Sequence, residues 1–382
     1  MWVNIFIYIS CFLFIPYSIL LLNYRKWFLK LKEFVGTQHH QATNYFSIII
    51  PARNEEDNIG NCLQSIISQN YPKELFEVIV IDDHSTDKTA AIVIQLQQLH
   101  TNIKLLKLED EIRGKQLNSY KKKAIDTAVL HAKGNWIITT DADCILQKHW
   151  LQLYDEYILK NNSLLVAAPV MFTKDNSILS NFQYIDFMAL QAATAATVSV
   201  GLHSMCNGAN LAYNKQTFFE VGGFKGIDNI ASGDDMLLMN KIKSKHPDKI
   251  GYLFSTEAIA TTAPMPTWKS FFNQRIRWAS KADKYDDKSL LPVLLMVYLF
   301  NLCLFLMFFF GLFSYKLLIS FVVLILLKTF VEWAFMQVAA RFFGGLSFFQ
   351  FAILQPLHVA YMVIAGWLGK FGNYQWKGRN VK

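Results

Sequence analysis

Charge is absent from one membrane-length stretch at the start of this chain and scarce in three more near its end. From about Trp2 to Asn23 no side chain is charged, and after Lys288 come the apolar runs Leu290–Phe313, Leu317–Met336 and Leu346–Leu368. Each is long enough to cross a bilayer as a helix, for which about 20 apolar residues suffice. Between them, Asn44 to Thr267 holds most of the acidic residues and has ordinary globular patterning. That block has the length of one domain, about 220 residues. Hydrophobic residues make up 53% of the chain, more than a soluble domain carries, and the excess sits at the two ends. The partition predicts a soluble block carried by membrane helices.

The first run lacks a basic stretch ahead of it and a small-residue cleavage site, so it reads as a retained anchor. Arg25, Lys26, Lys30 and Lys32 follow it, which by the positive-inside rule places Asn44 onward in the cytoplasm. The far end conflicts with itself. Three full spans put the C-terminus outside, whereas Lys370, Lys377, Arg379 and Lys382 favour inside. Either one run is re-entrant or interfacial or the charge rule fails, and a cytoplasmic tail is the expectation. Pro356 and His358 mark the last run as the one to break. Lys328 and Glu332, four apart inside a run, are expected to pair, unless Lys328 lies near an interface. The five cysteines are scattered without a CxxC pair, which argues against a zinc site or a disulfide framework. The net charge of +8 comes largely from Lys and Arg beside the apolar runs or in one loop (Lys115, Lys121, Lys122, Lys123). Anionic lipid headgroups and a diphosphate account for these groups, and nucleic acid is not an expected partner.

The polar block alternates strand and helix. Tyr45–Pro51 and Glu77–Ile81 are continuous apolar strands, the second running into Asp82-Asp83. Glu55, Glu56 and Asp57 open a helix with an apolar face at Ile59, Leu63, Ile66 and Ile67. Asp87 caps the next, through Ile92 to Leu99. Ile103–Leu108 is a third strand, Lys121–Ala132 a helix, and Asn135–Thr140 a fourth strand, running into Asp141. Apolar strands separated by helices predict an α/β fold with a mostly parallel sheet covered on both faces. Ligands sit beyond the carboxyl ends of such strands, where Asp82-Asp83 and Asp141–Asp143 fall.

Two further motifs follow, Gly233-Asp234-Asp235 and Gln274-Arg275-Ile276-Arg277-Trp278. SIIIPARNEEDNIGNCLQSIISQNYP followed by VIVIDDHSTDKT resembles the opening of the family-2 glycosyltransferases, with their nucleotide-sugar-binding GT-A fold. TTDADC resembles that family's DXD metal motif and SGDDMLL its later acidic motif. QRIRW is similar to the Q-(Q/R)-x-R-W signature of membrane-bound members such as cellulose and hyaluronan synthases and ceramide glucosyltransferases. The likeness covers about Tyr45 to Lys281.

Chemistry can be attached to these residues. Mg²⁺ or Mn²⁺ prefers carboxylate and phosphate oxygens, and Asp141 and Asp143 alternate on one extended segment. The resemblance favours Asp143 as the direct ligand, with Asp141 also touching ribose or sugar. Asp82 or Asp83 accepts from a uracil N–H or a ribose hydroxyl, the resemblance leaning to Asp83 for the base, unless the pair serves an Asx-type turn. Pro51, Arg53 and Glu55 line the same end, where Arg53 meets either uracil or a surface salt bridge. Among Lys121, Lys122 and Lys123 one is expected to face the donor. Asp235 is the expected general base of a single inverting displacement, with Asp234 beside it on the acceptor side, and a helix start is the plain alternative for this motif. Gln274 and Arg277 suit a diphosphate and Trp278 an acceptor. The three share one helical face from which Arg275 points away, toward lipid headgroups. Trp268–Tyr285 interleaves aromatic and basic residues as an interfacial helix does. Asn210 and the turn at Gly222–Phe224 are expected to border the donor.

The expected layout is an anchor (1–24), a basic juxtamembrane segment (25–44), a GT-A domain (45–265), an interfacial helix (266–288), a membrane region (289–369) and a basic tail (370–382). What the resemblance implies is an inverting, metal-dependent transferase moving a sugar from a UDP-sugar to a membrane lipid at the cytoplasmic face, in a bacterial inner membrane. A short-bundle polysaccharide synthase, with an oligomer forming its channel, and a non-catalytic nucleotide-sugar-binding subunit are the alternatives.

Overall fold

The computed structural model describes residues 1–37, 40–112, 117–202, 205–230, 233–280 and 289–371, and the backbone of 374–376 and 379–381. Lys115, the 281–288 end of the expected interfacial segment and the side chains of the basic tail after Phe371 lie outside the described residues. Two compact units emerge. One is built on a sheet (Lys32–Thr173, Ser204–Ala263 and Trp376–Lys382) and the other is helical (Met1–Leu31, Lys174–His203 and Pro264–Gln375).

The chain opens with α1 (Trp2–Phe28), β1 (Phe46–Ala52), α2 (Ile59–Ile67), β2 (Phe76–Asp82), α3 (Thr89–Leu99) and β3 (Ile103–Lys107). Next come α4 (Leu108–Ile112), α5 (Tyr120–His131), β4 (Trp136–Thr139), α6 (Trp150–Asn161), β5 (Leu165–Ala167), β6 (Val170–Phe172) and the long α7 (Ile178–Ser199). The sheet unit resumes with β7 (Leu211–Asn214), α8 (Lys215–Glu220), α9 (Asp234–Lys245), β8 (Ile250–Tyr252) and β9 (Ala260–Thr262). Last come α10 (Trp268–Ala279), α11 (Leu290–Gly311), α12 (Tyr315–Phe343), α13 (Phe348–Ile353), α14 (Gln355–Phe371) and the short strands β10 (Tyr374–Trp376) and β11 (Arg379–Val381).

In the sheet unit seven strands lie in the order β3-β2-β1-β4-β7-β5-β8, parallel except for β7. Ile48, Ile49, Ile50, Val78, Ile79, Val80, Ile81, Ile137 and Ile138 are fully buried. Such strands need no alternation because both faces are covered. Register sets Ala52 beside Asp82 and Ile49 beside Thr139, so the acidic turns after β2 and β4 leave the same edge. Leu211, the first residue of β7, pairs with Thr139, so the segment before β7 ends at that edge too.

Two local expectations are corrected in this unit. α2 begins at Ile59 with no acid in its first turn, and Glu55, Glu56 and Asp57 lie in the turn before it. There they serve a neighbouring loop: Glu56 accepts from the Lys88 backbone N–H at 3.0 Å and donates its own N–H to Asp87. Asn210, expected beside the donor, is a core cross-link instead. Its Oδ1 accepts from Trp150 Nε1 and Tyr154 Oη, both at 2.9 Å. Its Nδ2 donates to the Pro169 and Ala258 carbonyls at 2.7 and 2.8 Å. Buried polar groups persist when every partner is present.

In the helical unit α1, α11 and α12 are long and apolar enough to cross a membrane, three such helices among the described residues. The last apolar run is two helices, α13 and α14, meeting at Leu354 just ahead of Pro356, whose missing N–H suits a first turn. Lys328 pairs inside the protein. It is fully buried, 2.7 Å from Glu332, and donates to Gln355 Oε1 at 2.6 Å. Gln355 Nε2 donates to Glu332 Oε2, and the Tyr17 hydroxyl also bonds Glu332. Both charges are thus paired and hydrogen-bonded, the condition for keeping them in an apolar interior. α7 joins this unit by packing on α1 and α12, and Tyr184 Oη donates to the Phe343 carbonyl at 2.7 Å.

Replacing Asn210 by Leu leaves an indole N–H, a phenol and two carbonyls unpaired in the sheet unit's core. The expected cost is at least ~3 kcal/mol, read as a drop in the thermal unfolding midpoint of detergent-purified protein.

Candidate active site

Lys121, in the first turn of α5, links two of the acidic motifs. Its Nζ lies 2.7 Å from Asp141 Oδ1, just beyond β4, and 3.5 Å from Asp234 Oδ2, at the start of α9. Burial alone would lower the pKa of this ammonium, but Asp141, Asp234 and Asp235 outweigh it and hold it above the ordinary lysine value. The neighbouring lysines do other work. Lys122 is buried and donates to the Ile227 and Ile230 carbonyls at 2.8 and 2.7 Å, and Lys123 pairs along the helix with Asp126 at 3.7 Å. Of the three, the one that faces the acidic motifs is Lys121.

Asp143 is the electrostatically loaded carboxylate of the pair. Burial, then the charges of Asp141 and Glu55, push its pKa up to about 6, and a hydrogen bond with Thr262 offsets part of the rise. Hard divalent ions take carboxylate oxygens, so the donor set fits Mg²⁺ or Mn²⁺. Cys62 and Cys144 are buried beneath this loop, Cys62 Sγ lying 3.6 Å from the Asp141 carbonyl. Burial pushes both thiols up, which keeps them inert.

At the end of β2, Asp82 and Asp83 are buried. Asp82 Oδ1 accepts from the Ser85 N–H at 3.3 Å, the Asx-type turn contact, while Asp83 Oδ1 lies 2.9 Å from His84 Nδ1. Arg53, its side chain 16% exposed, pairs with Asp83: Nη1 lies 4.0 Å from Oδ1 and donates to the Asp83 carbonyl at 2.8 Å. Asn54 and His84 both have positive φ, 51° and 57°, a strained choice for residues with a Cβ, concentrated where the two strands end. The loops are stitched together. Asn54 N–H donates to Ser85 Oγ, Thr86 N–H to Asn54 Oδ1 and Glu55 N–H to Thr89 Oγ1. Asp87 accepts from the Thr89 N–H, and α3 starts at Thr89 itself. Pro51, half-buried in β1, and Glu55 stand at this same edge.

Gly233 takes φ +75° as the residue ahead of α9, which sets Asp234 and Asp235 in the first turn, where the helix dipole favours acids. Asp235 Oδ2 accepts from the Gly208 N–H at 2.9 Å and Oδ1 from the Met236 N–H at 2.7 Å. A Cβ at Gly208 would stand 3.1 Å from Asp234 Oδ2. Gly208 and Thr262 thus both touch the acidic motifs. Neither was legible in the chain, since a lone glycine and a lone threonine carry no periodic signal.

In the helical unit, α10 carries the QRIRW residues. Arg275 does not reach lipid headgroups. Its side chain is buried, Nε and Nη2 lie 3.0 and 2.9 Å from Asp186 Oδ2, and Nη1 donates to Gln274 Oε1 at 2.8 Å. The guanidinium stands over the Trp278 ring at 4.1 Å. Spacing of three along a helix puts Arg275 and Trp278 side by side, which is why the two meet. Gln274, Arg277 and Trp278 are half-buried.

The glycosyl transferase family 2 model matches residues 47–227 of this chain. Those residues carry the chain's likeness to that family. Glycosyltransferase AglE of Haloferax volcanii is 31% identical over 192 residues, 50% of this chain and 59% of AglE. Beta-monoglucosyldiacylglycerol synthase of Synechocystis is 32% identical over 255 residues, 61% of this chain and 46% of that protein. The chain therefore spans about half of the length of these relatives. A structure of mannosyltransferase PcManGT from Pyrobaculum calidifontis, in complex with GDP-Man and Mn²⁺, superposes with a TM-score of 0.58 at 19% identity, over 96% of this chain and 98% of that one. That likeness shows the fold alone, the GT-A fold.

The raised pKa of Asp143 has a thermodynamic consequence. Folding favours its protonated form, so ionisation costs stability from about pH 4, the unfolded value, upward and in full above pH 6. Asp143→Asn is expected to raise the melting midpoint of chelator-treated protein at pH 7.5 by about 2–6 °C, and to leave it nearly unchanged at pH 4. Calorimetry at the two pH values checks this.

Proposed function

We propose that this protein transfers a sugar from a UDP-sugar to the hydroxyl of a membrane lipid, with inversion at the anomeric carbon. The observation that supports this most directly is the bridging of Asp141 and Asp234 by Lys121 at the edge where the parallel strands end. In this reading Asp143, with Asp141, holds Mg²⁺ or Mn²⁺. Held by these two carboxylates, such an ion would supply Lewis-acid neutralisation of the leaving diphosphate. Asp83 and Asp82, with Arg53 and Pro51, receive the base and ribose, and Glu55 borders the same site. Lys121 meets the donor, and Gln274 and Arg277 bind the diphosphate.

Asp235 is the general base. It takes the proton of the acceptor hydroxyl as that oxygen attacks the anomeric carbon and the bond to the diphosphate breaks, releasing the nucleoside diphosphate. The N–H groups of Gly208 and Met236 aim its carboxylate. Asp234 stands beside it, and Trp278 presents an aromatic face to the acceptor. Three membrane-length helices and the likeness to a diacylglycerol-lipid synthase favour a lipid acceptor and one transfer over chain extension. Arg25, Lys26, Lys30 and Lys32 favour a cytoplasmic site, in a bacterial inner membrane.

The test is nucleotide release by detergent-purified protein given a panel of UDP- and GDP-sugars, Mn²⁺ and membrane lipids. Expected are metal-dependent release, a solvent-extractable product of inverted anomeric configuration, and a rate ~10²–10⁴-fold lower in Asp235→Asn with nucleotide binding retained. A lengthening water-soluble product would replace this reading with a polysaccharide synthase. Nucleotide binding without turnover on any donor would replace it with a non-catalytic subunit.

A further inference from the structure

Arg275 sits inside a motif whose neighbours are assigned to substrates, yet every contact described for its guanidinium is internal. Asp186 of α7 takes Nε and Nη2, with the Arg275 and Asp186 side chains 1% and 5% exposed. The ion pair lies within an aromatic seam between α7 and α10. Phe182 packs on Phe271 and Trp268, Phe187 on Trp278, and Arg275 lies 5.0 Å over the Phe271 ring. Gln183 and Met265 exchange two further hydrogen bonds, Gln183 Nε2 to the Met265 carbonyl and the Met265 N–H to Gln183 Oε1. α7 thus presents residues 182, 183, 186 and 187, one helical face, to α10.

We infer that Asp186 is a positioning residue for transfer, acting through Arg275 on Gln274 and Trp278. Asp186 fixes the guanidinium plane. The remaining edge of that plane donates to Gln274 Oε1, which commits the carbonyl end of the amide and leaves the NH₂ end as the group offered to a substrate. That NH₂ end can only donate, so it suits an oxygen acceptor such as a phosphate oxygen. The same plane, 4.1 Å over Trp278, holds the indole in one orientation. The inference rests on the assignment of Gln274 and Trp278 to substrates under the proposed function.

Removing one partner of a buried ion pair threatens the fold, so the test replaces both, Asp186→Leu with Arg275→Met, a substitution that apolar surroundings tolerate. Arg275→Lys is the second variant. It keeps a charge against Asp186 but loses the fork to Gln274 and the flat face against Trp278. Both are expected to fall about 10–100-fold in kcat, as displaced substrate-holding groups do. Both should keep the wild-type melting midpoint. Adding Gln274→Ala to either should lower kcat little further, whereas a purely structural pair would give additive losses. Wild-type kcat in folded Arg275→Lys, or additive losses, would overturn the inference alone. Wild-type protein that transfers no sugar and binds no nucleotide would overturn the proposed function and the inference with it.

Discussion

Carboxylates gathered at one edge of a sheet repel each other and lose hydration, and the ammonium of Lys121 is set against that cost. It stands between Asp141, delivered by the end of β4, and Asp234, delivered by the start of α9. The two acids are far apart in sequence and meet because parallel strands end together and β7 starts where they end. The balance is incomplete by design of the site: Asp143 still resists ionisation. In the proposed function a divalent cation would meet that deficit, and the donor's diphosphate would lie against the cation and Lys121.

The sheet was the most legible part of the chain. Apart from Ser47, Glu77 and Asp82, strands 46–52 and 76–82 are apolar throughout, as a sheet covered on both faces requires. The acids at their ends follow from that without further information. What resisted reading was the direction of individual polar side chains. Asn210, just ahead of a strand, faces the core rather than the site, and Arg275 faces Asp186 rather than lipid. Each depends on a partner far along the chain that no local pattern announces. Glu55, Glu56 and Asp57 show the same limit at shorter range. Acids ahead of an apolar helical face suggested a helix start, but the loop at 85–89 offered them hydrogen bonds of its own.

The helical unit handles its buried charges in two ways. Lys328, Glu332, Gln355 and Tyr17, with His358 Nδ1 3.4 Å from the Lys328 ammonium, form a set that ties α12 to α14 and α1. Its polar groups answer one another, and the set has the character of a structural pin. The Asp186–Arg275 pair differs because one edge of its guanidinium is spent on Gln274, beside the residues assigned to substrate. The spacing Lys328–Glu332 made the first pair visible in the chain, since four residues apart on a helix means neighbours. The second joins α7 to α10 and has no such signature.

The proposed function requires the edge bridged by Lys121 to bind a nucleoside diphosphate together with a divalent cation. Calorimetric titration of UDP and GDP into detergent-purified protein, with and without Mn²⁺, tests it in the wild type and in Lys121→Met. Metal-dependent binding of one nucleotide, weakened about tenfold or more when Lys121 is replaced, is the predicted result, since a tenfold loss corresponds to only ~1.4 kcal/mol of charge-assisted contact. Binding that ignores both the metal and Lys121 would contradict the account.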